Sequence, residues 1–301
     1  MANITLKQLR YFEAVARTRH FGKAADACAV SQPALSVQVR DLEETLGLAL
    51  LERGPRSVRL TSFGEAFLTR ARAILRDVDA LSDLARAAHD GLTGRLRLGV
   101  IPTIAPYLLP TVLPALSKAR PGIDVHIRET VTPRLVSELL DGKLDAAIVA
   151  LPLGEPALIE APLFDEDMVL VRPQADANAV IPTPDQLAAM RLLLLEEGHC
   201  FRDQALSFCN VGTGAREGLD GSALSTLVQM VGAGLGVTLI PEMAVPVEAR
   251  AASVDIARFA APAPQRSVGM VWRKTNPMAD HLAELAQIVA TFQPGKDPVR
   301  T

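Results

Sequence analysis

Two cysteines nine residues apart, Cys200 and Cys209, carry the clearest chemical signal in the chain. Cys200 lies in the run Gly198-His199-Cys200-Phe201-Arg202-Asp203-Gln204-Ala205, which follows Leu192-Leu193-Leu194-Leu195-Glu196-Glu197. Four leucines read as a buried strand and Glu-Glu-Gly as its end, so Cys200 falls where a strand hands over to a helix. A helix N-terminus, a cationic Arg202 and a protonatable His199 all favour thiolate, the form that attacks peroxides. Asp203 opposes that shift to some degree, or else orients Arg202 or His199. Three chemistries compete for this segment: a thiol–disulfide switch, a metal site made of His199, Cys200 and Cys209, and two buried structural cysteines. The metal site has no fourth ligand at finger spacing, and adjacent His and Cys rarely converge on one ion. No metal and no cofactor is expected.

The switch makes a geometric demand. If the step from Cys200 to Cys209 is helical, it spans about 13.5 Å and about two and a half turns, which leaves the side chains on opposite faces. A disulfide needs Cα atoms within about 7 Å. The segment must therefore partly unwind to join the pair, and oxidation would stabilise a different conformation of the surrounding domain. The third cysteine, Cys28, shares a stripe with Phe21, Ala24 and Ala25 and reads as packing. His20, His89, His126 and His281 form no cluster.

The segment that must position this pair belongs to a long alternating region. From Arg95 onward, strands are expected near 96–101, 124–127, 146–150, 168–171, 192–195, 237–240 and 268–272. Helices are expected near 107–118, 132–140, 202–208, 225–231 and 279–292. Such alternation implies α/β layers with largely parallel sheets and ligand sites at strand carboxyl ends.

The first ninety residues differ. Thr5 and Gln8 have capping-box spacing, a short helix carries Phe21 to Cys28, and Ser31 caps a third helix with Pro33 in its first turn. That third helix buries Leu35, Val39, Leu42 and Leu46, shows Gln32, Ser36 and Arg40 on another face, and stops at Gly47. An Arg-rich stretch with a Gly54-Pro55 turn then reads as a β-wing. This is the layout of a winged helix-turn-helix. Gln32, Pro33 and Ser36 stand where a recognition helix meets base edges; Arg40, Arg53, Arg56 and Arg59 suit phosphates. Ser62 and Glu65 open a long helix to about Ala88. Its apolar positions Phe67, Ala71, Ile74, Val78, Leu81, Ala85 and Ala88 make a heptad seam that needs a partner helix.

Charge fits this division. Residues 1–60 hold nine Lys or Arg and six acids, a net of +3, and the whole chain of 301 residues has −3, leaving −6 for the remainder. A basic head on an acidic body suits a head that meets a polyanion. The apolar share of 49% and charged share of 22% are those of an ordinary globular protein, which excludes disorder and collagen. The chain has no apolar run of bilayer length and no signal-like start, so a cytoplasmic location without membrane contact is expected. Three cysteines are too few for a disulfide framework.

Phe21-Gly22-Lys23-Ala24-Ala25, Val30-Ser31-Gln32-Pro33-Ala34-Leu35-Ser36, Leu42-Glu43, Leu46-Gly47, Leu51-Glu52-Arg53 and Leu60-Thr61 resemble the head of LysR-type transcriptional regulators. The resemblance implies a DNA-binding regulator, dimeric or tetrameric, that works with RNA polymerase and has activator character. It also implies a body of two α/β lobes similar to type 2 periplasmic binding proteins. The expected division is a head at 1–61, a linker helix at 62–92, and a regulatory domain at 93–301. Its lobe I would take about 93–165 and 268–301, and its lobe II about 166–267. The Gly198 to Ala205 run with Cys209 is similar to the sensor segment of the hydrogen-peroxide-responsive members. Ile101-Pro102-Thr103, Pro106 to Pro110, Gly142 to Asp145, Pro162 to Glu166 and Ile240-Pro241 share that likeness.

On this resemblance Cys200 is the peroxidatic cysteine and Cys209 the resolving one. Thr103, Thr132, His199, Arg202 and Asp203 would surround the peroxide, with Arg266 close to the thiol. Thr132 has a second reading as a helix cap before Pro133, and Arg266 as a surface residue. A regulator that senses a small organic acid between its lobes, with structural cysteines, remains the alternative; a thiol peroxidase would have no need of the head. No catalytic turnover is expected.

Overall fold

The computed structural model describes residues 4–53, 58–87, 94–209, 220–250 and 252–292. Two compact units divide the chain between Asp83 and Leu84.

In the first unit, α1 (Leu6–Thr18), α2 (Phe21–Ala27) and α3 (Gln32–Leu46) precede a hairpin of β1 (Leu51–Arg53) and β2 (Val58–Leu60), and α4 (Ser62–Ala87) follows. Local chemistry sets each boundary. Thr5 and Gln8 form the expected capping box on α1, Ser31 Oγ accepts from the Ala34 amide at the start of α3, and Gly47 ends α3 in the left-handed conformation. The hairpin is anchored on α3, because the Glu43 carboxylate accepts from the amides of Leu50 and Leu51 at 2.8 and 3.0 Å. Leu9, Phe12, Val15, Leu35, Val39 and Leu42 form the core.

Two expectations change here. The cap of α4 is Thr61 rather than Ser62: Thr61 Oγ1 accepts from the Gly64 amide at 2.9 Å and donates to the Ala49 carbonyl at 2.8 Å. Gly64 is required because a Cβ there would meet the Leu50 carbonyl oxygen. The heptad seam also splits. Phe67 and Ala71 pack into the head's own core, with Phe67 edge-on to Phe12, whereas Ile74 and Leu81 are 46% and 64% exposed. The side chain of Ala85 and all of Ala88 lie outside the described residues.

The second unit runs β3 (Gly94–Val100), α5 (Ala105–Ala119), β4 (Ile123–Glu129), α6 (Thr132–Leu140), β5 (Ala146–Leu151), β6 (Leu158–Pro173), α7 (Pro184–Ala189), β7 (Leu194–Leu195), α8 (Cys200–Phe208), β8 (Asp220–Gly221), α9 (Leu224–Gly232), β9 (Thr238–Pro241), α10 (Val245–Glu248), β10 (Val254–Ala257), β11 (Gln265–Arg273) and α11 (Ala279–Ala290). Strand order is β10-β6-β11-β5-β3-β4, with β9 also on β6. β3 is parallel to β4 and β5, but β6 and β11 run antiparallel to every neighbour. The largely parallel sheet read from the alternation is therefore corrected. The long β6 is the reason: its first part pairs with β11 and its last residues with β9 and β10, so one strand serves two cores.

Those cores are separate. One gathers Leu98, Val100, Leu135, Ile148, Val268 and Leu282; the other gathers Leu170, Leu193, Leu195, Phe201, Leu227 and Ile240. Burying each such side chain contributes roughly 1.5–3 kcal/mol, so each lobe has its own cohesion. Tyr107 of α5 touches both cores, and its hydroxyl donates to Glu248 of α10 at 2.7 Å.

Candidate functional site

β3 and β4 are parallel neighbours, so the chain leaves both at the same sheet edge. The turn after β3 carries Thr103 and the first position of α6 carries Thr132. Across from them the second lobe delivers α8. Glu196 bonds through its amide to the Gly221 carbonyl, Gly198 turns at φ +92°, and α8 begins at Cys200. Glycine is needed there because a side chain at that φ is strained. Ile101, Pro102, Thr103, Val131, Thr132, His199, Cys200 and Phe201 line one narrow crevice.

Cys200 and Cys209 are both thiols at opposite ends of an intact α8. Cys200 is half-buried and packs against the first lobe's core, although its helix belongs to the second lobe. Cys209 is fully buried in the second lobe's core. Cys200 occupies the first helical position, where the amide ends of α8 supply positive partial charge. The His199 side chain caps none of those amides.

The expected neighbours divide. Thr103, Thr132 and His199 reach the crevice. Thr132 is not the cap of α6, since that position is Val131, and its buried hydroxyl has no hydrogen-bond partner among the described residues. Burial pushes the His199 imidazole below its ordinary pKa, with Glu196 pulling weakly the other way. This lowering opposes the protonation of His199 that would favour a thiolate.

Arg202 turns away: its guanidinium donates to the Leu195 carbonyl at 2.7 Å and pairs with Asp220 at 2.9 Å. Asp203, the carboxylate read as its partner, is exposed in the first turn of α8. Neither residue lines the crevice. Cys28 is half-buried beside the head core, and burial pushes its thiol up, with Arg17 opposing and Glu13 adding to the shift.

Arg266 is no surface residue. Its side chain is wholly buried, pairs with Glu166 through Nε at 2.6 Å, donates to Thr103 Oγ1 at 2.9 Å and to the Thr103 carbonyl at 3.0 Å, and lies 5.6 Å over the Phe201 ring. It touches Thr103 in the crevice and Phe201, the residue after the thiol. Sequence reasoning missed Glu166 as the partner of Arg266; it stands between Asp165 and Asp167, and nothing local sets it apart from them.

In the head, Gln32 and Pro33 are exposed at the first turn of α3, Ser36 is half-buried one turn on, and Arg40 is exposed. Arg59 points outward from β2. Arg56 and the Arg53 side chain lie outside the described residues.

Comparison with known proteins agrees with this organisation. Residues 6–65 match the bacterial regulatory helix-turn-helix protein, lysR family, and residues 89–293 match the LysR substrate binding domain. The chain is 40% identical over 297 residues to the DNA-binding transcriptional dual regulator OxyR of Escherichia coli K12, covering 97% of each. A cysteine-to-aspartate variant of full-length OxyR from Pseudomonas aeruginosa aligns with TM-score 0.74 at 36% identity, covering 98% of this chain and 100% of that one. A hydrogen-peroxide-bound OxyR mutant from Corynebacterium glutamicum aligns with TM-score 0.63 at 35% identity, over 95% and 92%. With a winged helix-turn-helix head and a two-lobed α/β body matching over nearly its whole length, the chain belongs to the LysR family of bacterial transcriptional regulators and groups there with OxyR.

Proposed function

We propose that this regulator senses hydrogen peroxide through Cys200 and Cys209 and transmits the change to DNA. The observation that carries the reading is Thr132: an orphaned buried hydroxyl beside Cys200, in a crevice shared with Thr103 and His199. A buried polar group without a partner is costly, and a small polar ligand such as a peroxide would satisfy it.

The chemistry closes in two steps. The Cys200 thiolate attacks the nearer peroxide oxygen; an S–O bond forms, the O–O bond breaks, and the departing oxygen takes the proton the thiol released and leaves as water. Cys200 is thereby oxidised by two electrons to a sulfenic acid. Cys209 sulfur then attacks Cys200 sulfur, the S–O bond breaks, and a second water leaves. The second step requires α8 to unwind, since its nine residues hold the two positions about 13.5 Å apart. Unwinding pulls Cys209 from one core and Cys200 from the edge of the other, which alters the lobes that both cores stabilise. Arg202 and Asp203 belong in this reading as groups exposed to the same refolding.

The head grips double-stranded DNA with Gln32, Pro33 and Ser36 toward the bases and Arg40, Arg53, Arg56 and Arg59 toward phosphates. The exposed Ile74 and Leu81 of α4 meet a second copy, giving a dimer or tetramer that works with RNA polymerase in the cytoplasm. The test is operator footprinting under reducing and oxidising conditions, with intact-mass analysis of the same sample. Peroxide should remove two hydrogens from the wild-type chain and change the footprint; Cys200→Ser should abolish both. A footprint that still responds in Cys200→Ser refutes the thiol reading and favours an organic effector between the lobes.

A further inference from the structure

We propose that Glu166 is a positioning residue for this reaction: through Arg266 it fixes the Thr103 hydroxyl as a hydrogen-bond donor to the peroxide oxygen that departs. The inference rests on the peroxide-sensing reading above.

The polarity follows from donor counting. A guanidinium carries donors only, so in the 2.9 Å contact Arg266 Nη1 donates and Thr103 Oγ1 accepts. The hydroxyl hydrogen of Thr103 must then point elsewhere. Among the described residues no group accepts it, and the side chain lines the crevice that holds Cys200. The second bond, from Arg266 Nη2 to the Thr103 carbonyl at 3.0 Å, fixes the backbone of the same residue, so the orientation is held twice.

Glu166 holds the guanidinium in turn. Its Oε1 accepts from Arg266 Nε at 2.6 Å while its Oε2 accepts from the Met243 amide at 3.3 Å, so the carboxylate is itself anchored. Burial pushes the Glu166 carboxyl up, and Arg266 opposes that shift. Without Glu166, Arg266 would be a buried charge with no counterion, and such a charge turns toward whatever acceptor or water it can reach. Thr103 would lose the partner that sets its hydrogen.

The geometry matters at one moment. As Cys200 sulfur forms its bond to the nearer oxygen and the O–O bond breaks, negative charge collects on the departing oxygen before it takes its proton. A fixed donor aimed there acts where charge develops, which is where a donor has most effect. Thr103 keeps its own proton throughout.

The test uses the full-length chain and follows Cys200 by mass spectrometry after quenched reaction with hydrogen peroxide and, separately, with iodoacetamide, whose attack needs no donor at a departing oxygen. Glu166→Gln should slow the peroxide reaction by about 100-fold, the lower end of the cost of losing one aimed donor, while iodoacetamide reacts as fast as before or faster. Glu166→Asp should restore part of the peroxide rate. Thr103→Val should give the same loss, and combining it with Glu166→Gln should add nothing further. If Glu166→Gln does not fold, the double replacement Glu166→Gln with Arg266→Gln removes both charges together and should show the same selective loss. A wild-type peroxide rate in the variant that folds, or equal slowing toward both reagents, overturns the role of Glu166. If wild-type Cys200 itself is inert to peroxide, the underlying sensing reading fails, and this inference with it.

Discussion

The two ends of α8 lie in different surroundings. At the Cys200 end a half-buried thiol faces two threonine hydroxyls and an imidazole, backed by a buried ion pair. At the Cys209 end a fully buried thiol sits in an apolar core with Leu206 and Leu227. The same functional group is thus placed once where polar groups converge and once where it behaves as a small hydrophobe. The asymmetry separates the two thiols: one borders a narrow polar crevice, and the other is enclosed by apolar side chains.

The largest expected effect comes from the buried pair behind the polar end. Arg266→Ala leaves Glu166 charged and buried, and breaking such a pair costs about 3–5 kcal/mol; urea unfolding with an unchanged slope should read that loss. A variant as stable as wild type would mean that the polar end is not held by this pair. Next is the contrast itself. Cys209→Ser places a hydroxyl in an apolar core, at a cost of about 1–3 kcal/mol, whereas Cys200→Ser at the half-buried end should leave the denaturation midpoint nearly unchanged. Equal effects would erase the distinction between the ends.

Thr132→Val should slow oxidation of Cys200 by peroxide about 100-fold, the lower bound for one lost donor, yet leave stability level or raised, because the hydroxyl it removes has no partner. A destabilised variant reacting at the normal rate would assign Thr132 to structure instead. The smallest effect concerns His199. Its pKa is lowered in the folded chain, so the unfolded chain binds the extra proton. Stability is therefore full above the unfolded value of about 6.5 and declines as pH falls below it. The melting temperature should drop less between pH 7 and 5 in His199→Gln than in wild type; identical slopes would place the imidazole in solvent.

Local signals read well from the chain alone. The Thr5–Gln8 box, Ser31 with Pro33, and Gly47 place the head helices because caps and turns are decided by neighbours in sequence. The Leu-rich strand, Gly198 and the start of α8 near Cys200 were legible for the same reason. Partners far along the chain were not. Arg202 has Asp203 beside it but pairs with Asp220, because the first turn of α8 packs against the β7–β8 edge. The heptad seam of α4 shows one apolar stripe, yet only folding reveals that Phe67 and Ala71 are used within the head while Ile74 and Leu81 are not.

Amino-acid order by itself determined the family, the ends of α1 and α3, the strand-to-helix turn that presents Cys200, and the distance an intact α8 sets between the two thiols. Tertiary structure alone decided that Thr103, Thr132 and His199 converge on the thiol, that Arg266 is buried on Glu166, and that the two cysteines belong to different cores. The division has a physical cause. Capping, turn strain and periodicity act over a few residues, whereas desolvation and ion pairing depend on which distant strands the sheet brings side by side, and here β6 and β11 carry Glu166 and Arg266 into register across a hundred positions of chain.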